Sequence, residues 1–280
     1  MDDYRAASRQ SWSSVAQDWA QMTDRIDRQL RAAGDWIIDQ LALEPGQRVL
    51  ELAGGPGTVS LMAARAVSPG GHVIYSDFAQ PMVEVARRRL EAQGVPDVEY
   101  RVIDAEAIDL PDDSVDAVAC RMGFMLMADP AAALRESARV LVAGGRIALA
   151  VWADSASNPW AALPGQAVAG ELGTPPPPAD APGLWALADE ARLKGLLQDA
   201  GFQAIRIEKL EDSVEYESAE QWIELTRRLA GPLKVLFANL DEETRGAIED
   251  RLREAAKPYE LPDGRISLPE QILVASACVG

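Results

Sequence analysis

The residues best suited to chemistry lie in the run Val49-Leu50-Glu51-Leu52-Ala53-Gly54-Gly55-Pro56-Gly57. It predicts a short buried strand, a glycine-rich turn and then a helix over about 58–67. Glycines in such a turn let the backbone approach a ligand closely and adopt φ values that a side chain forbids. Amides at the helix start offer donors to a polar or anionic group. In a doubly wound sheet the turn lies at the carboxyl ends of the strands, where ligands bind. A nucleotide-like cofactor is the first chemistry this implies. Gly55-Pro56-Gly57-Thr58-Val59-Ser60 approaches the dinucleotide fingerprint G-x-G-x-x-G, with Ser60 in the third glycine position. Asp77 follows Gly57 by 20 residues, where a ribose-binding acid is expected. On this spacing alone, a nicotinamide dinucleotide stays open.

Further strand ends narrow the choice. Residues 72–77 read as a second strand ending in Asp77. Residues 98–103 read as a third, running into Asp104-Ala105-Glu106. Residues 115–120 form a fourth, ending at Cys120 and followed by Arg121. From 133 to 147 the pattern gives a helix, a glycine turn and a fifth strand. This succession resembles the class I S-adenosylmethionine-dependent methyltransferases, in the small-molecule branch related to the ubiquinone and menaquinone biosynthesis methyltransferases. The resemblance spans roughly residues 35–210 and the last strand. Glu51, Gly55 and Gly57 match the family's first motif, with Ala53 in place of its first glycine and Gly54 beside it.

The resemblance implies an α/β fold with a Rossmann-like seven-stranded sheet in the order 3-2-1-4-5-7-6, the seventh strand antiparallel. It implies S-adenosyl-L-methionine as cofactor and S-adenosyl-L-homocysteine as product. By position, Gly55 and Gly57 would admit the methionine moiety and Asp77 would accept from both ribose hydroxyls. Asp104 would meet the adenine amino group, with Ala105 and Glu106 adjoining. Phe78 and Met82 would pack near the adenosine, and Cys120 and Arg121 would line the cofactor and face the substrate. Taken singly, each residue has a plainer role as turn glycine, helix cap or solvated carboxylate. The joint spacing of four strand-end signals favours the cofactor.

Composition bounds the function. The chain has 280 residues, 48% of them hydrophobic and 25% charged, as in ordinary globular proteins. Its net charge of −17 repels phosphate backbones, which argues against nucleic-acid partners. No run of 18 apolar residues predicts a membrane span. The first residues are acidic and polar, unlike a secretion signal. Cys120 and Cys278 form neither a metal-ligand spacing nor a disulfide framework. These features suit the cytoplasm, a small-molecule acceptor and no metal, and a homodimer is compatible with them.

The punctuation divides the chain. Residues 1–42 read as an N-terminal helical lid, with helices over 3–22 and 25–41. Residues 43–213 form the Rossmann-like core, with a loop and helix insertion at about 153–186 whose 174–182 segment is proline-rich and extended. Residues 202–210 are the sixth strand. Residues 214–264 are a helical insertion that caps the substrate, and 265–280 hold the last core strand, over 271–278. Ser218 and Gln221 form a capping box, after which Trp222, Leu225 and Leu229 share a helical face.

The resembled chemistry asks little of the protein. The cofactor carries the activated methyl group, and the chain must hold a nucleophile in line at roughly 3–3.5 Å and exclude water. Pocket candidates are Tyr4, Trp12, Trp19, Met122, Phe124, Met125 and Trp152, with Trp12 and Trp19 seven apart on one helical face. They favour a lipophilic or aromatic acceptor. Asn158-Pro159-Trp160 resembles the amino-methyltransferase motif N-P-P-W, but it follows the fifth strand rather than the fourth and is set aside. Other readings are a different activity on the same fold, a nicotinamide-dependent oxidoreductase, or a non-catalytic cofactor-binding protein. His72 is the only histidine and opens the second strand, at the end remote from the ligand. Turnover of His72→Gln is therefore expected within a few-fold of wild type. A loss beyond about a thousandfold in steady-state assays, the scale of a missing acid–base group, would contradict a mechanism without histidine.

Overall fold

The computed structural model describes residues 2–174, 178 and 181–280. Most of the expected proline-rich extension at 174–182 lies outside the described residues. Four short apolar runs set the architecture. Val49-Leu50, Val73-Ile74-Tyr75, Ala117 to Cys120 and Ile147 to Val151 are all fully buried. Runs buried on both faces belong to parallel strands covered by helices on each side.

The strands are β1 (Arg48–Glu51), β2 (His72–Asp77), β3 (Val98–Val102), β4 (Val115–Arg121), β5 (Leu141–Trp152), β6 (Gln203–Tyr216) and β7 (Ile266–Cys278). Their order is β3-β2-β1-β4-β5-β7-β6, with β7 antiparallel to both neighbours, as the sequence led us to expect. Glu51 pairs with Tyr75 on one side and Ala119 on the other. The carboxyl ends of β1, β2 and β4 therefore come level at one edge. His72 pairs with Arg48 at the opposite edge. The expected glycine turn before the fifth strand is present as a bulge: the β4–β5 register jumps between Val115 and Ala117.

Three elements differ from expectation. The segment 25–41 breaks at Leu30 into α2 (Thr23–Gln29) and α3 (Arg31–Leu41). β6 runs to Tyr216 instead of ending at Leu210. Its outer part alternates acids with Val214 and Tyr216, so only one face is buried and the apolar signal is halved. β7 begins at Ile266, five residues early, across Pro269. A proline is tolerated there because Pro269 faces Ser213 of β6 and has no strand partner on its other side. This two-stranded arm packs on α9 (Ala219–Leu229) and α11 (Glu242–Ala256) through a second apolar cluster built on Trp222, Ile248, Leu252 and Leu268.

Asn158, set aside as a motif, proves to be a clamp. It is fully buried at the start of α7 (Pro159–Leu172). Its Nδ2 donates to the carbonyls of Asp154 and Gln271 at 3.0 Å, and its Oδ1 accepts from Gln271 N at 2.9 Å. The loop after β5 is thereby pinned to β7. Asn158→Ala strands these buried groups and is expected to cost about 2–3 kcal/mol, measured by urea unfolding.

Candidate functional site

The turn after β1 is built from left-handed residues. Ala53 has φ 51°, Gly55 52° and Gly57 81°. An alanine in this region is strained. It is held because Leu52 N donates to Ala119 O and Gly54 N to Ser76 O, both at 2.9 Å. Gly54 has an ordinary φ but no room: a Cβ there would lie 2.8 Å from Tyr75 Cδ2. Gly57 caps α4 (Thr58–Ala66).

Two buried carboxylates face this turn. Glu51 accepts from Ser60 N at 2.9 Å and from Ser60 Oγ. Burial pushes its pKa up to about 7, with the Ser60 donors and the Arg121 charge pulling the other way. Asp77 ends β2 and accepts from Ala79 N at 2.9 Å through Oδ1 and from Gly55 N at 3.1 Å through Oδ2. Burial raises it to about 6 against those amides. A carboxylate has about four lone-pair sites. Two amides leave Asp77 able to accept from a vicinal diol.

A cavity opens over the turn. It gathers the expected Glu51, Ala53, Gly54, Gly55, Asp77, Phe78, Met82, Asp104, Ala105, Glu106 and Arg121. Tyr4, Trp12, Trp19 and Met122 also line it. Five expected residues do not. Gly57 backs onto α5 (Gln80–Ala92), where a Cβ would meet Leu90 at 3.1 Å and Ala86 at 3.2 Å. Cys120 is buried behind Gly123, and burial pushes its thiol up to about 12. Phe124 and Met125 are buried in the core. Trp152 packs edge-on against Trp160 and donates its backbone N–H to Met125 Sδ at 3.4 Å. Among the lining residues the sequence reading missed are Arg5, Ser8, Leu30, Pro56, Leu126 and Met127. Ser8 could have been found from the i, i+4, i+8 series Tyr4, Ser8, Trp12.

The roof is α1 (Asp2–Gln21), and side chains hold it down. Tyr4 OH donates to Leu126 O at 2.9 Å. Arg5 pairs with Glu106, whose other oxygen accepts from Ala128 N at 2.8 Å. Trp19 Nε1 donates to Leu229 O at 2.9 Å, and its ring meets Trp12 edge-to-face at 5.4 Å. Trp19 also overlies Gly55: a Cβ there would be 3.9 Å from its ring. The floor of the cavity is polar, and much of its roof and rim is apolar.

This strand order, with the glycine turn, the acid ending β2 and a covered cavity above them, defines a class I S-adenosylmethionine-dependent methyltransferase. The model of the ubiE/COQ5 methyltransferase family matches residues 3–158, and the chain belongs to that family. It is 32% identical over 182 residues to the ubiquinone/menaquinone biosynthesis C-methyltransferase UbiE of Pectobacterium carotovorum, covering 61% of this chain and 72% of that one. Against the demethylmenaquinone methyltransferase of Thermus thermophilus it is 44% identical over 108 residues, 38% of this chain and 48% of the relative. The match thus spans only about half of some relatives. The YcgJ protein of Bacillus subtilis has the same fold, with a TM-score of 0.63 at 21% identity, over 89% of this chain and 98% of that one. S-adenosylmethionine is the cofactor of this enzyme class, and the glycine turn and the spare lone pairs of Asp77 fit it.

The buried acids give a pH signature. In an unfolded chain their carboxyls titrate near about 4. Between about pH 4 and 7 the folded protein binds protons that the unfolded chain has released, so these groups make stability fall as pH rises. In Asp77→Asn the loss of stability from pH 5 to pH 7 is expected to be smaller than in wild type by on the order of 1 kcal/mol. Urea titrations of the cofactor-free protein at the two pH values measure it.

Proposed function

We propose that this chain transfers the methyl group of S-adenosylmethionine to a small lipophilic or aromatic acceptor by in-line displacement. One observation carries the reading: a single cavity joins strand-end carboxylates to a wall made of Trp12, Met122, Leu126 and Met127. The carboxylates suit a ribose and an adenine. The apolar wall suits a hydrophobic acceptor. The names of the relatives, C-methyltransferases of quinone biosynthesis, support a lipophilic ring.

Asp77 accepts from the ribose hydroxyls. Asp104 meets the adenine amino group, with Phe78, Met82 and Ala105 around the ring. Gly54 and Gly55 leave room for the amino-acid end. Gly57 and Cys120 support the turn from behind. The bound cofactor supplies a methyl group activated by its sulfonium. The chain's own work is to hold the acceptor at roughly 3–3.5 Å and keep water out. The tethered α1 serves the second need. Burial raises the Tyr4 phenol, so it stays protonated and acts as a donor. A base is required only if the acceptor is a weak acid, and the cavity offers carboxylates but no histidine for that role. A cytoplasmic location and no nucleic-acid partner complete the reading, the latter supported by the net charge of −17.

Transfer of labelled methyl groups to a panel of hydrophobic phenols and quinols tests the activity. No transfer to any member, from protein that binds the donor, would argue for a non-methylating role. Two charge-assisted hydrogen bonds to Asp77, worth about 1.5–3 kcal/mol each, predict that Asp77→Ala weakens S-adenosylmethionine by roughly tenfold to a few hundredfold. Calorimetric titration of the folded variant reads this directly.

A further inference from the structure

Arg121 ends β4 in the cavity wall, with a side chain only 7% exposed. A guanidinium carries five N–H donors. This one makes two hydrogen bonds, to Leu30 O at 3.3 Å and to Asp27 Oδ1 at 3.5 Å. Both are long for a charged donor, where 2.7–2.9 Å is typical. Asp27 is also committed elsewhere, accepting from Arg89 Nη2 at 2.6 Å and from Thr58 Oγ1. Glu51 contributes charge to Arg121 and makes no hydrogen bond with it. A guanidinium held by two long hydrogen bonds in a cavity wall has donors to spare, and a planar two-oxygen anion satisfies them best.

The rest of the lining points to where such an anion would go. Its other cationic side chain, Arg5, is paired with Glu106. Glu51, Asp77, Asp104 and Glu106 are acids, which suit hydroxyls, amines and cations and repel a carboxylate. β1 lies between β2, which carries Asp77, and β4, which carries Arg121. Two strand spacings put these residues roughly 10 Å apart. An extended adenosyl amino acid fits that span.

We propose that Arg121 is the receptor for the carboxylate at the amino-acid end of the adenosyl ligand, and that Asp27 is the positioning residue that aims it. The inference rests on the cofactor reading above. It adds that α2, through Asp27, ties the N-terminal helices to recognition of that end. Thr58 and Arg89 complete the tie, because Arg89 also donates to Pro56 O at 3.1 Å in the glycine turn.

The test compares two ligands by calorimetry: S-adenosylhomocysteine, and 5′-methylthioadenosine, which keeps the adenosyl thioether and lacks the amino-acid end. Arg121→Gln is expected to weaken the first about tenfold or more and the second by less than about twofold. Asp27→Asn is expected to give a smaller loss, also confined to S-adenosylhomocysteine. A merely structural role would weaken both ligands together. Arg121→Lys keeps the charge without the fork. It is expected to lose several-fold on S-adenosylhomocysteine alone, and it decides the matter if the glutamine variant fails to fold. Equal losses on both ligands, or no loss on either, would overturn the inference while leaving the cofactor reading intact. Wild-type protein that binds neither ligand would overturn both.

Discussion

Burial of two carboxylates at the ends of adjacent parallel strands is the constraint on which the rest of this structure depends. Glu51 and Asp77 are almost without solvent, and a buried acid must find donors or be neutral. Each finds them in the chain segment that follows a strand. Ser60, in the first turn of α4, serves Glu51, and the amides of Gly55 and Ala79 serve Asp77. The glycine turn is folded by its own counter-charges as well as by its glycines. A turn held by the chain's own hydrogen bonds needs little further ordering to meet a ligand.

The second level of organisation joins the roof to the helices that follow β6. Asp18 on α1 accepts from Arg228 Nε at 3.1 Å and Lys234 Nζ at 2.6 Å, and Trp19 bonds to Leu229. Arg228 and Leu229 belong to α9, and Lys234 to α10 (Gly231–Ala238). On the other side, Gln29 of α2 donates to the buried Glu270 of β7 at 2.7 Å. The N-terminal helices thus lean on elements far along the chain. α1 is also joined to the rim by Tyr4 to Leu126 and Arg5 to Glu106, and it packs on α5 through Val15, Ala16, Met82 and Val85.

Much of this was legible in the sequence because it rests on local signals. The core strands were readable as short apolar runs, and the resemblance to the class I methyltransferases implied their order. Ser218 was readable as a cap, and it accepts from the amide three residues on. What stayed hidden depends on partners distant in sequence. The outer halves of β6 and β7 look polar or broken by Pro269 until each is seen as the other's only neighbour. Arg121 was expected in the site, but its link to Asp27 joins residues 94 apart. Phe124, Met125 and Trp152 were drawn toward the ligand by their place after strands β4 and β5. Strand position fixes which end a residue occupies, not which way its side chain turns, and all three turn into the core.

The insertion of β7 between β5 and β6 also bears on how the protein is made. During synthesis the segment that fills this slot emerges after every other strand and after all of α9, α10 and α11. Until then β5 and β6 have no shared neighbour, and the backbone donors and acceptors that β7 will meet are bare. Unpaired strand edges of this kind invite association with other chains. The acids in the outer part of β6, Glu211, Asp212 and Glu215, put like charge along one of those waiting edges. The same residues that made β6 hard to recognise as a strand would keep nascent copies apart until the slot closes.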